Sequence, residues 1–103
     1  MAKLPNKIKI GNMAITVERV KELKTPGGND AYGRWMADEH RILLAPHPTL
    51  AIEKDTVLHE VLHGLFTHFW LPRKNEEHIV GCLASGLLMV MNDNPRLRRY
   101  LFD

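Results

Sequence analysis

Apolar and polar positions follow two different periods along this chain, and the switch between them predicts its elements. Over residues 7–17 the period is two. Ile8 and Ile10 alternate with Lys7 and Lys9, and Ile15 and Val17 share a face beyond Gly11-Asn12. A two-residue break of that kind between alternating runs predicts a β-hairpin. Thr25-Pro26-Gly27-Gly28-Asn29-Asp30 is the strongest loop signal in the chain. A second hairpin is predicted beyond it, with strands at residues 32–37 and 41–45 and a turn at Asp38-Glu39-His40; Pro46 and Pro48 then end the sheet.

From Thr49, an N-cap residue type, the period becomes helical. Leu58, Val61, Leu62, Leu65, Phe66 and Phe69 form an apolar stripe too broad for a free-standing surface helix. Residues 70–75 break the pattern. A second helix is predicted over about residues 76–91, with Val80, Leu83, Ala84, Leu87, Leu88 and Met91 on its apolar face. Asn92-Asp93-Asn94-Pro95 stops it, and Pro95 can open a short final turn. The layout is an α+β domain: a small antiparallel sheet of three or four strands, built from two N-terminal hairpins and packed on two C-terminal helices.

Five residues in the first helix carry the candidate chemistry: His59-Glu60-Val61-Leu62-His63, the pattern H-E-x-x-H. Residues four apart on a helix are neighbours on one face, so two imidazoles at this spacing can grip one metal ion. Glu60 is offset by one residue and flanks the metal, where it can take a proton from a bound water. This is the zinc metalloprotease spacing. The alternative, that both histidines are boundary residues of an amphipathic helix, does not account for the glutamate between them or for the preceding sheet.

A catalytic zinc site has three protein ligands and a water. The extension H-E-x-x-H-x-x-G-x-x-H fails here, because Phe66 and Phe69 stand at its glycine and histidine positions. Glu76 and Glu77, which open the second helix, are the candidates for the third ligand, and helix geometry alone leaves both open. Both also suit the first turn of a helix as ordinary acids stabilised by its dipole. Asp55, one turn before His59, is a weak candidate for orienting that imidazole. Tyr32, Arg34, His40 and His78 are the available oxyanion donors, each with an ordinary structural role as its simpler reading.

Composition narrows the setting. The chain has 103 residues and a formal net charge of +2, so one domain (residues 1–103) is expected and charge alone argues for neither nucleic acid nor membrane as partner. No run approaches the ~18 apolar residues of a membrane span, and the N-terminal residues lack the apolar core of a secretory signal. The single cysteine, Cys82, permits no internal disulfide and is expected to be a small buried filler. A reducing, cytoplasmic setting is the simplest expectation.

The run Thr56-Val57-Leu58-His59-Glu60-Val61-Leu62-His63-Gly64-Leu65-Phe66 resembles the active-site helix of small ImmA/IrrE-like zinc metallo-endopeptidases, many of them phage-encoded. So does Glu76-Glu77-His78-Ile79-Val80-Gly81-Cys82-Leu83-Ala84, followed by Leu87 and Asp93-Asn94-Pro95. The resemblance covers about residues 30–95 and is specific at the two helices. It implies a minimal gluzincin-type, zincin-like domain, and it favours Glu77 over Glu76 as the ligand. Gly81 departs from the larger gluzincins, which place an orienting Asp at that position.

The expected function is zinc-dependent hydrolysis of a protein or peptide substrate, with a zinc-bound water as nucleophile and Glu60 as general base. The ligand histidines must be neutral to bind metal, so activity should fall in mild acid. Two competing readings stand beside it: a metal-binding or scaffolding protein without activity, and a nucleic-acid-associated protein using Arg96, Arg98 and Arg99. Three arginines near a helix end more often solvate that end, which disfavours the last.

Overall fold

A computed structural model describes residues 3–102. Four strands, β1 (Lys7–Ile10), β2 (Met13–Arg19), β3 (Gly33–Met36) and β4 (Arg41–Leu44), precede three helices, α1 (Leu50–Phe69), α2 (Glu76–Asp93) and α3 (Pro95–Phe102). The α+β class and both hairpins are as the sequence predicts. β1 pairs antiparallel with β2 from Lys7↔Thr16 to Ile10↔Met13, across a turn in which Gly11 adopts φ 59°. A side chain there is excluded twice over, since a Cβ would also lie 2.1 Å from Cε1 of His68.

The sheet is mixed rather than wholly antiparallel. Its order is β1-β2-β4-β3, with β2 and β4 parallel (Thr16↔Arg41 to Arg19↔Leu44). The second hairpin docks through its return strand for a reason of burial. β4 carries Ile42 and Leu44, both fully buried, and only a central position covers them with Ile15 and Val17 on β2. β3, which carries Gly33 and Arg34, is left at the edge. Ile42→Ala is expected to cost about 3 kcal/mol. It should lower the urea midpoint at unchanged slope, and an unchanged midpoint would remove Ile42 from the core.

α1 lies between the sheet and α2. Val57, Val61 and Leu65 pack on the sheet cluster, while Leu58, Leu62 and Phe66 pack on Val80 and Ala84 of α2. Leu65 touches both clusters. This two-sided burial explains why the α1 stripe is too wide for a surface helix. Gly64 lets the helix come close to the sheet, because a Cβ there would lie 2.7 Å from Cδ1 of Ile10. Thr49 caps α1 by accepting the Ile52 amide at 3.2 Å, as its residue type predicts. The final turn expected from Pro95 through Phe102 is a third helix over those residues, with none of them buried.

Candidate metal centre

Helical spacing brings the His59 and His63 rings edge to face, 4.9 Å between centroids, with their Nε2 atoms 3.2 Å apart. Two nitrogens at the ~2.0–2.1 Å of a tetrahedral zinc ion would be about 3.3 Å apart. The imidazoles therefore already stand at a metal-binding separation. Trp70 ends α1 in a left-handed conformation, its amide returning to Phe66 and Thr67 carbonyls, and Asn75 turns the chain again at φ 61°. The first turn of α2 is thereby laid over His59 and His63.

The two adjacent glutamates of that turn meet the histidines differently. Glu77 spans both of them, with Oε1 2.7 Å from Nε2 of His59 and Oε2 2.9 Å from Nε2 of His63. Glu76 reaches the far side of the second ring, with Oε2 2.5 Å from Nδ1 of His63. Exposure separates them as well: the Glu76 side chain is 18% exposed and that of Glu77 is 76%. Glu77 thus stands where a ligand would complete a set of two histidines and one glutamate, which is a donor set of catalytic zinc sites. Its contacts to the imidazoles are hydrogen-bond distances, and a metal among the three groups would open them by a few tenths of an ångström.

Glu60 is the one buried charged residue among those described. Its burial pushes its pKa up to about 7, helped by the negative charge of Glu77, while His63 and a backbone hydrogen bond from Trp35 act against the rise. Ligand-type atoms of His59, Glu60 and His63 all lie within 4.8 Å of one another, so this trio can itself hold a cation. Glu77 contacts both imidazoles directly, and that makes it the better third donor. Glu60 is sheltered instead, with its carboxyl lifted by burial to about 7.

The site opens into a cleft of about 750 Å³ between β3 and the helices, whose lining includes Tyr32, Gly33, Trp35, Thr67 and Arg73. The Ala45 amide donates to the Tyr32 carbonyl at 2.9 Å, which sets the hydrogen-bonding phase of the β3–β4 pair. In that phase Arg34 bonds across to Leu43, and the backbone groups of Gly33 and Trp35 point away from β4, the Trp35 amide toward the Glu60 carboxylate. The Trp35 indole donates to Thr67 Oγ1 at 3.0 Å, and the Thr67 hydroxyl donates to the His63 carbonyl at 3.3 Å. The edge strand is thus tied to the turn of α1 that carries His63.

Other candidates from the sequence are distributed differently. Tyr32 and Arg34 line the cleft, whereas His40 and His78 do not. Asp55 accepts hydrogen bonds from Ser85 on α2 at 3.3 Å and so links the two helices instead of orienting His59. Cys82 is exposed rather than a buried filler, with Sγ 3.9 Å from Nε2 of His78. Gly81 lies against His59, and a Cβ there would sit 4.0 Å from Cε1 of that ring. Gly33 reads in the sequence as an ordinary residue of the predicted strand, whereas the structure sets it against Thr56 and Glu60. The chain matches no protein-family model, no curated protein and no solved structure.

Proposed function

We propose that this chain is a zinc-dependent metallo-endopeptidase, with His59, His63 and Glu77 holding the metal and Glu60 acting as general base. One observation carries the reading. Both Nε2 atoms and the Glu77 carboxylate converge beside a buried carboxyl group, in a cleft bordered by a free strand edge. When bound, zinc supplies Lewis acidity toward a water and toward the scissile carbonyl.

The chain's own residues supply the remaining steps. The outward backbone groups of Gly33 and the outward carbonyl of Trp35 offer an extended substrate a strand to pair with. Glu60 takes a proton from the attacking water and returns it to the departing amine as the C–N bond breaks. Burial lifts the Glu60 carboxyl to about 7 in the metal-free protein, and a cation on the neighbouring imidazoles would favour its ionised, accepting form. Glu76 accepts the Nδ1 proton of His63, which leaves Nε2 free to face the metal.

Glu76→Ala is accordingly expected to weaken zinc binding about 10–100-fold in competition with a chelator. Glu76→Gln, which keeps an acceptor oxygen, loses less. Equal affinities in all three proteins would exclude an orienting role for Glu76.

The resemblance of α1 and α2 to ImmA/IrrE-like, often phage-encoded, endopeptidases supports the same reading. A single minimal domain acting in a reducing cytoplasm fits it too. Among the described residues no helix is long and apolar enough to cross a membrane. The competing reading is a metal-binding module without activity. Incubating the zinc-loaded protein with a partly disordered protein such as casein separates the two. Fragments that cease with a chelator and return with zinc support the peptidase; an intact substrate beside a chain holding one zinc supports the module.

A further inference from the structure

Gly33 occupies a position where glycine is not required by the backbone. It is the first residue of β3, and the left-handed glycines of the described residues are Gly11 and Gly28. Glycine in a strand forfeits packing and backbone entropy, and it persists where another group approaches closely. Here the approaching groups are identifiable. A Cβ on Gly33 would lie 2.6 Å from Cγ2 of Thr56, 3.0 Å from Oε2 of Glu60 and 3.3 Å from its Cγ.

From this geometry we infer that Gly33 is a positioning residue for Glu60, one that lets the edge strand set the location of the base. The inference rests on the peptidase reading above and specifies how that site is aligned. Of the two groups crowding Gly33, Thr56 is the less free to move, because its hydroxyl donates to the Ile52 carbonyl at 2.9 Å and holds the methyl in place. The 2.6 Å contact with that fixed methyl is the severe one, so a methyl group at position 33 forces β3 to shift, and the Glu60 carboxylate, hydrogen-bonded to the Trp35 backbone of the same strand, is displaced with it. None of the three atoms nearest that methyl belongs to His59, His63 or Glu77, so the metal-holding groups are not struck by it directly.

The consequence is an alignment device. A peptide added along β3 takes its register from Gly33 and Trp35, and the same two residues border the base. One strand then fixes both the bond to be cut and the group that activates water against it. A displacement of about 1 Å at such a centre costs on the order of 100-fold in rate.

The test uses the full chain and three variants, Gly33→Ala, Thr56→Ser and the double change, with zinc content, kcat and KM read on a casein-derived peptide. Gly33→Ala should bind one zinc per chain, lose roughly 30–100-fold in kcat and keep KM within a few-fold. Thr56→Ser removes the crowding methyl and keeps the hydroxyl, so the double variant should recover at least about tenfold of that kcat. A second readout does not depend on cleavage. In metal-free protein the ¹³C signal of the Glu60 carboxyl should move in Gly33→Ala and return toward its original place in the double variant, while the His59 and His63 ring signals stay. Unchanged kcat with an unmoved Glu60 signal overturns the inference. So does a Gly33→Ala chain that loses its fold or its zinc, which would make Gly33 a packing residue. A wild-type chain that cleaves nothing refutes the peptidase reading instead, and the carboxyl signal then decides the placement of Glu60 by itself.

Discussion

Glu60→Gln is expected to lower peptide cleavage by at least about 100-fold while the chain still binds one zinc. The amide keeps the shape of the carboxyl group and fills the same buried space, so packing against β3 is retained. It loses the ability to accept a proton, which is the one property the proposed mechanism asks of residue 60. Burial raises the carboxyl pKa to about 7, so wild-type Glu60 incurs a desolvation cost whenever it ionises. The neutral amide incurs no such cost, and the variant should be no less stable than wild type near neutral pH. A variant equal in stability and zinc content but lacking activity separates the base from the metal ligands. Full activity in it would refute the role of Glu60.

His63→Ala should have the larger effect on metal. This side chain contacts three others in the site, His59, Glu76 and Glu77, and is only 13% exposed. Its removal takes away one ligand and leaves the partly buried Glu76 carboxylate without its partner. Zinc affinity should fall by more than about 100-fold, beyond the range of changes at groups that merely orient a ligand. Cleavage should fall with it. Competition against a chromophoric chelator measures the first effect, and retention of zinc at wild-type affinity would exclude His63 as a ligand.

The helices and the chemistry on them were more legible in the sequence than the sheet. Thr49, the 3.6-residue stripe and the spacing of His59 and His63 are local signals, and local geometry fulfils them. Strand alternation, by contrast, is the same for parallel and antiparallel partners, so the periodicity of residues 41–45 could not reveal that β4 lies parallel to β2. Burial decides that pairing, and burial depends on the whole fold. The same limit applied at the third donor. Glu76 and Glu77 differ by one residue, and only the path of the turn from Trp70 to Asn75 decides which faces both Nε2 atoms. Cys82 sits on a face of α2 that no other described element covers deeply, so its apolar neighbours Ile79 and Leu83 are exposed with it. An apolar face in a sequence says that a helix can bury it, not that a partner is there.

The contribution of Gly33 lies beyond any periodicity argument, because it depends on a strand and a helix far apart in sequence. Its close approach to Thr56 and Glu60 exists only once β3 is at the edge and α1 beneath it. The sheet topology that the sequence could not disclose is therefore what gives the motif on α1 its neighbouring strand.

Zinc K-edge absorption on the zinc-loaded protein tests the central assignment most directly. The expected result is one zinc per chain, bound by two imidazoles and by oxygen donors at about 2.0–2.2 Å, with the oxygen shell altered in Glu77→Ala. A chain that takes up no zinc, an oxygen shell indifferent to Glu77, or a sulfur neighbour at about 2.3 Å from Cys82 would contradict it.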